Sequence, residues 1–265
     1  MLIVGELINT SRRPVREAVD RRDAAFIAAV ARRQVEAGAG CLDVNCGTMG
    51  EREPEAMAWL VKVVREAAVP LCIDSPDPRA LEAGLALAGH GRPLVNSLSA
   101  EAARFAAVLP LVRKYGAKVV ALCMDDDGMP VTAGDRIAVV RRLVDDLTAA
   151  GVAPGDIYLD PLVKPVSVSD GAGMEVLETV RLVRAQWPEV HNICGLSNVS
   201  FGLPDRKTLN RVFMVQTMTA GMDAYILDTT DKTMMGLLYA SRALLGQDPF
   251  CGGYIAAYRS GLYNN

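Results

Sequence analysis

Residues 41–48 read Cys41-Leu42-Asp43-Val44-Asn45-Cys46-Gly47-Thr48, a short apolar run that ends on polar side chains. Side chains alternate between the two faces of a strand, so Asp43 and Asn45 are expected to point to the same side. An amphipathic pattern then extends from Pro54 to Ala67. The segment therefore predicts one strand followed by one helix, with polar residues at the carboxyl end of the strand.

The same arrangement occurs eight times along the 265 residues. The apolar runs end at Glu6 to Asn9, Asp43 with Asn45, Asp74, Asn96, Met124 with Asp125, Asp160, Ser197 with Asn198, and Asp228. The amphipathic stretches between them are residues 23–38, 54–67, 78–90, 100–115, 135–151, 173–187, 207–221 and 231–245. Eight strand–helix repeats over this length predict an α/β protein, a (β/α)8 TIM barrel with its active site at the carboxyl ends of the strands.

Composition and charge narrow the function further. The chain is 51% hydrophobic and 22% charged, and no Pro- or Ser-rich linker divides it, so we expect residues 1–265 to form a single domain. A formal charge of −3 argues against nucleic acid as the main partner. No run approaches the roughly 20 apolar residues that span a bilayer, and no charged leader precedes the first apolar run. These features predict a cytoplasmic protein without membrane contact.

The chain offers few residues for metal binding or histidine chemistry. It has two histidines, His90 and His191, and its six cysteines form no CxxC pair. Reduced, buried thiols are therefore expected, and no bound metal is predicted. The sequence also lacks a phosphate-binding loop.

Polar residues at the strand ends are the candidates for the active site. A single Asp or Asn at such a position is commonly a turn former or a helix N-cap, and Asp77 before Pro78 is a better cap than Asp74. Recurrence at one layer favours a shared polar site, made of Asp43, Asp74, Asn96, Asp160 and Asn198. A carboxylate accepts two parallel hydrogen bonds from a planar N–H/NH2 edge, and Asn donates and accepts. The set suits a planar heterocycle such as a pterin.

Several of these runs resemble those of the pterin-binding methyltransferases, in particular the methyltetrahydrofolate:corrinoid (iron–sulfur) protein methyltransferases of one-carbon metabolism. The folate-binding barrel of cobalamin-dependent methionine synthase is also similar. The resemblance extends from residue 2 to residue 245 and is carried by Leu42-Asp43-Val44-Asn45-Cys46-Gly47, Cys72-Ile73-Asp74-Ser75, Val95-Asn96-Ser97, Tyr158-Leu159-Asp160-Pro161-Leu162 and Gly195-Leu196-Ser197-Asn198-Val199-Ser200-Phe201-Gly202.

The resemblance implies a role for each matching residue. Asp160 is expected to bind the pterin amide and 2-amino group, and Asn198 is the expected catalytic residue beside the methyl-bearing N5. Asp74 and Asn96 are expected to complete the polar contacts around the ring, and Gly195 and Ser197 to shape the wall beside N5. Strand alternation adds Asp43 and Asn45 as substrate-binding candidates. Arg206, in the loop after Asn198, is expected to bind the polyglutamate tail or the pterin edge, with a solvated loop arginine as the alternative. The implied substrate is methyltetrahydrofolate, the implied cofactor is a cobalamin-type corrinoid carried by a partner protein, and a homodimer is expected.

Three classes of function remain open on the sequence. The first is methyl transfer. The second is a different barrel enzyme, either a dihydropteroate synthase or an aldolase that uses Lys164 as a Schiff base. The final strand, Asp223-Ala224-Tyr225-Ile226-Leu227-Asp228-Thr229, lacks the Ser-Arg-Lys type motif of the synthases, which argues against that activity. The third class is a pterin-binding subunit without catalytic activity.

Overall fold

A computed structural model describes residues 1–264 of the protein. Eight parallel strands form a closed barrel in which each strand pairs with its neighbours in sequence and the last strand pairs with the first. The strands are β1 (Leu2–Asn9), β2 (Cys41–Asn45), β3 (Leu71–Asp74), β4 (Leu94–Ser99), β5 (Lys118–Leu122), β6 (Ile157–Asp160), β7 (His191–Gly195) and β8 (Ala224–Leu227). The predicted single-domain (β/α)8 barrel is confirmed.

Helices alternate with the strands around the outside of the barrel. They are α1 (Arg13–Asp20), α2 (Ala24–Glu36), α3 (Glu53–Val64), α4 (Pro78–Leu85), α5 (Ala102–Tyr115), α6 (Ala133–Ala149), α7 (Ala172–Gln186), α8 (Arg206–Ala220), α9 (Lys232–Leu244) and α10 (Gly252–Arg259). The eight predicted amphipathic stretches correspond to α2 to α9. Helices α1 and α10 were not predicted, because α1 is an additional helix inside the first strand–helix repeat and α10 follows the last one.

Some predicted helix boundaries were wrong. The stretch 78–90 was expected to be helical throughout, but α4 ends at Leu85. Gly89 and Gly91 follow with φ angles of +80° and +64°, a left-handed conformation that does not continue an α-helix. The start of α4 was anticipated better. Asp77 caps it by accepting a hydrogen bond from the Arg79 amide at 2.8 Å, so Asp74 is not needed for that purpose.

Apolar side chains fill the barrel interior below its carboxyl end. Each strand contributes at least one residue to this inner cluster, which consists of Val4, Cys41, Cys72, Leu94, Val120, Tyr158, Ile193, Ala224 and Ile226. The opposite face of the strands packs against the helices in two larger apolar clusters. Strands buried on both faces explain why the runs are almost continuously apolar until they end.

Two further features bear on the composition-based expectations. Cys41, Cys46, Cys72, Cys123 and Cys194 are buried free thiols, whereas Cys251 is exposed. In the part of the chain that the structure describes, no helix combines the length and apolar character needed to cross a membrane.

The outer apolar layer generates a stability prediction. Leu60 of α3 is fully buried, whereas Leu244 at the end of α9 is 88% exposed. Leu60→Ala is expected to lower the free energy of unfolding by about 2–5 kcal/mol, because it leaves a cavity in a packed layer. Leu244→Ala is the control and should change it by less than about 0.5 kcal/mol. Urea unfolding monitored by circular dichroism would measure both, and equal losses would contradict this packing.

Candidate active site

A cavity of about 490 Å³ lies at the carboxyl ends of the strands. This volume falls in the range of small-molecule sites, and polar side chains dominate its walls. The lining residues are Glu6, Asn9, Ser11, Arg12, Asp43, Asp74, Asn96, Ser97, Leu122, Asp160, Leu162, Gly195, Ser197, Asn198 and Ile226. Seven of the nine residues predicted for the site line this cavity: Asp43, Asp74, Asn96, Asp160, Gly195, Ser197 and Asn198.

Strand alternation explains why these side chains meet. Two positions beyond a member of the inner apolar cluster, a side chain again points into the barrel, one layer nearer the mouth. Asp43 follows Cys41 in this way and Asp74 follows Cys72. In the same way Asn96 follows Leu94 on β4, and Asp160 follows Tyr158 on β6. The polar layer therefore lies directly above the apolar plug.

Asn45 lies behind this layer, against Asp74. Its Nδ2 donates to Asp74 Oδ2 at 2.7 Å, and its Oδ1 accepts from the Gly47 amide at 3.2 Å. Asn45 was predicted to reach the mouth together with Asp43, but it is absent from the cavity lining. Both of its polar atoms are engaged by the protein, so its contribution is to orient the Asp74 carboxylate.

Burial raises the pKa of the two carboxyl groups on β2 and β3. Asp43 is 3% exposed, and burial followed by the nearby charge of Asp74 raises its pKa well above the usual range. Burial also raises the pKa of Asp74 to about 6, against the hydrogen bond from Asn45 and the positive charge of Arg104. Two close carboxylates resist simultaneous ionisation, so the charge of Asp74 favours the protonated form of Asp43, which can donate a hydrogen bond.

Asp160 presents a second buried carboxyl group on the other side of the cavity. Its Oδ1 accepts the Leu162 amide at 2.8 Å. Burial raises the pKa of Asp160 to about 6, and the backbone amides of Leu162 and Gly195 oppose that shift. At neutral pH Asp160 is therefore ionised and can accept hydrogen bonds from a ligand.

The turn after β7 brings Asn198 to the cavity. Residues Leu196–Ser200 form a 3-10 helix directly after Gly195. A Cβ atom on Gly195 would lie 3.4 Å from Asn198 Nδ2, so glycine leaves room for that carboxamide. Ser197 donates to Glu6, with its Oγ 3.2 Å from both carboxylate oxygens. The turn is thereby attached to β1 across the barrel closure.

Arg206 lies on the outer side of the same turn. Its guanidinium donates to the Ser197 carbonyl oxygen at 2.6 Å and to Ser200 Oγ at 3.1 Å. It does not line the main cavity but borders an adjoining one of about 250 Å³, which shares Glu6, Arg12 and Ser197 with it. The structure therefore shows Arg206 supporting the Asn198 turn and facing a side groove.

Glu6 is a cavity residue that the sequence analysis left out of the site. It forms an ion pair with Arg12 at 3.0 Å. Burial raises the pKa of Glu6, opposed chiefly by Arg12 and Ser197. Glu6 lies within β1 and not after it, since that strand continues to Asn9 with a register shift between Gly5 and Ile8. Strand alternation could have indicated it: Glu6 lies two positions after the inward-facing Val4, just as Asp43 lies two positions after Cys41.

Other polar residues noted in the sequence lie elsewhere. Asp125 pairs with Arg142 beside a separate cavity of about 500 Å³ on the loop after β5. Lys164 does not line the main cavity, and its Nζ donates to the Pro130 carbonyl oxygen at 3.2 Å. Among residues 1–264, no three His, Cys, Asp or Glu side chains are arranged to hold a metal ion.

A closed parallel barrel with a polar cavity at the carboxyl ends of its strands is typical of the TIM barrels that bind small molecules. The family model for pterin binding enzymes matches residues 5–228. The methylcorrinoid:tetrahydrofolate methyltransferase of Eubacterium limosum is 38% identical over 264 residues, covering 98% of this chain and 97% of that relative. The chain therefore belongs to the pterin-binding enzyme family, and the resemblance inferred from its sequence is confirmed.

Two further relatives place the chain more broadly. The methionine synthase of Mycobacterium tuberculosis is 32% identical over 241 residues, which is 86% of this chain and 20% of that much longer protein. A crystal structure of Yersinia pestis dihydropteroate synthase with a sulfonamide drug superposes with a TM-score of 0.69 at 16% identity, covering 91% of this chain and 94% of that one. The likeness to the synthase structure shows that the two proteins share a fold.

The raised pKa of Asp160 generates a prediction about pH. The unfolded chain loses this proton near pH 3.8 and the folded protein near pH 6, so folding becomes less favourable as pH rises between those values. Asp160→Asn cannot ionise and escapes this penalty. Above pH 6 we expect the variant to be more stable than wild type by on the order of 1–3 kcal/mol, with the difference vanishing near pH 4.

Denaturant unfolding at pH 4, 5, 6 and 7.5 would test this. Asp135→Asn is the control, because its hydrogen bonds with Thr132 lower the pKa of Asp135, and that variant should lose stability at neutral pH. An Asp160→Asn curve parallel to that of wild type at every pH would contradict the assignment.

Proposed function

We propose that the chain is a methyltetrahydrofolate:corrinoid protein methyltransferase. It transfers the N5-methyl group between methyltetrahydrofolate and the cobalt centre of a corrinoid protein. The observation that carries the proposal is the cavity in which Asp74, Asn96 and Asp160 line the wall and Asn198 enters from the turn after β7. The proposal is supported by the name of the Eubacterium limosum relative, which gives a methylcorrinoid and tetrahydrofolate as its methyl donor and acceptor.

The cavity matches the hydrogen-bonding edge of a pterin. That edge presents a ring N–H and an exocyclic amine, and an ionised Asp160 accepts both in parallel. Asn96, within β4, offers a donor and an acceptor. Asp74, oriented by Asn45, supplies a further acceptor. Burial strengthens these contacts, because little water competes for them.

Asn198 is placed to act on the departing nitrogen. A tertiary amine is a poor leaving group, so N5 must acquire positive character through protonation or hydrogen bonding before displacement. The Asn198 carboxamide can turn its acceptor oxygen towards a protonated N5 and so stabilise the charge in the transition state. Glu6 holds the neighbouring Ser197, so the turn is fixed before the ligand arrives.

The corrinoid supplies a cobalt nucleophile for the methyl group, and this chain supplies binding, orientation and control of the N5 proton. Both directions of transfer pass through one transition state, so the same residues serve in each. A synthase-like reaction has less support, since β8 contributes only Ile226 to the cavity and no cation for a pyrophosphate.

The direct test is an anaerobic reaction of the protein with methyltetrahydrofolate and reduced cob(I)alamin. We expect the cob(I) absorbance to decay as methylcobalamin forms, at a rate proportional to enzyme concentration. Calorimetric titration with methyltetrahydrofolate is measured alongside. Folate binding without any cobalt methylation, either with free cob(I)alamin or with a corrinoid protein, would indicate a binding subunit and overturn the proposal.

Asn198→Ala tests the catalytic role. Losing one transition-state hydrogen bond should lower the single-turnover rate at saturating folate by roughly 10- to 1000-fold. The loss of folate affinity should be smaller than the loss of rate. The matched control is Asn210→Ala, which removes a carboxamide that accepts from Ser200 Oγ at 2.7 Å without lining the cavity. A saturated Asn198→Ala enzyme that transfers methyl at the wild-type rate would contradict the assignment.

A further inference from the structure

Arg136 is a buried arginine close to the cavity but outside its lining. It lies in the first turns of α6 and is 1% exposed. Among residues 1–264 it has the largest volume of any fully buried residue. Taking a guanidinium out of water costs several kcal/mol unless its donors are satisfied. A charge at this depth therefore calls for an explanation in terms of what it contacts.

The guanidinium of Arg136 joins three segments near the mouth of the barrel. Its Nε donates to the Pro161 carbonyl oxygen at 2.8 Å. Its Nη1 donates to the Val131 carbonyl oxygen at 3.2 Å and lies 3.5 Å from Glu175 Oε2. Pro161 directly follows Asp160, so the shortest of these contacts fixes the backbone beside the carboxylate expected to bind the pterin.

The backbone after Pro161 is strained. Leu162 has a φ angle of +58°, a left-handed conformation that costs a residue with a Cβ atom about 1–2 kcal/mol. Its amide donates to Asp160 Oδ1 at 2.8 Å, and its side chain lines the cavity. Such a conformation persists only where the surroundings determine it. Arg136 donates to the carbonyl oxygen and Asp160 accepts from the N–H of the same Pro161–Leu162 peptide group, so these two hydrogen bonds fix its orientation.

We propose that Arg136 is a positioning residue for ligand binding. It holds the Asp160-Pro161-Leu162 turn in its left-handed form, so that the Leu162 amide orients the Asp160 carboxylate for the ligand. Arg136 acts through backbone carbonyls and does not touch the ligand. The inference rests on the proposed function only in taking a reduced folate as that ligand.

Arg136→Met removes the donors while keeping a long side chain in the buried site. The ionic partner Glu175 is 34% exposed, so water can still solvate its carboxylate in this variant and no fully buried charge is left unpaired. We expect the dissociation constant for methyltetrahydrofolate to rise roughly 10- to 100-fold, as for a displaced binding group. The single-turnover rate at saturating folate should stay close to that of wild type, because Asn198 is held by other contacts. Arg141→Met, an exposed position on the same helix, is the control and should bind normally.

A double-mutant cycle with Leu162→Gly separates positioning from general stability. Glycine adopts a positive φ without strain, so the turn no longer needs Arg136 to hold it. Arg136→Met should therefore weaken folate binding much less in the Leu162→Gly background than in wild type. Calorimetry on the four proteins measures this coupling. Arg136→Lys, which keeps the charge but offers one donor nitrogen in place of the guanidinium fork, enters the same cycle if Arg136→Met fails to fold.

Unchanged affinity in Arg136→Met, or an equal loss in both backgrounds, would overturn the positioning role. A wild-type protein that binds methyltetrahydrofolate but fails to methylate cob(I)alamin would overturn the proposed function alone. A wild-type protein that does not bind the folate would overturn both.

Discussion

The two-residue alternation of side chains along eight parallel strands is the constraint on which the site depends. Once Val4, Cys41, Cys72, Leu94 and Tyr158 pack inside the barrel, the next inward positions are Glu6, Asp43, Asp74, Asn96 and Asp160. No separate loop has to bring these groups together. Closure of the barrel places them in one layer above an apolar plug, where Asp43 is buried and the other four side chains are half-buried, and this burial strengthens hydrogen bonds to a ligand.

That placement has an energetic cost, which appears in the pKa values. Burial raises the pKa of Asp74 and Asp160 to about 6, so the folded protein at neutral pH holds charges that are more stable in water. The protein offsets part of this cost with local donors: Asn45 for Asp74 and the Leu162 amide for Asp160. The offset is incomplete, and the donors of a planar ligand can complete it. The same carboxylates thus lower the stability of the folded protein and provide its affinity for the ligand.

Most of the barrel and the cavity could be predicted because both follow from local periodicity. Asp43 and Asn198 could be recognised from the ends of apolar runs, without any knowledge of neighbouring elements. Glu6 was recognised at the end of the first apolar run but was not assigned to the site, because β1 continues past it to Asn9 and several polar residues share that run end. Asn45 was assigned to the ligand because the sequence does not show its contact with Asp74. Arg136 could not be recognised, since two of its three partners are backbone carbonyls, which every residue carries, and the third, Glu175, is 39 residues away in the sequence.

Arginines that donate to carbonyls recur around the mouth. Arg104 on α5 donates to the carbonyl oxygens of Ser75 and Ser97, the residues that follow Asp74 and Asn96. Arg206 on α8 donates to that of Ser197, which precedes Asn198. A carbonyl satisfies the guanidinium without neutralising it, so the positive charge of Arg104 still lowers the pKa of Asp74. The outer helices therefore fix the backbone beside the binding residues and leave the carboxylates themselves free for a ligand.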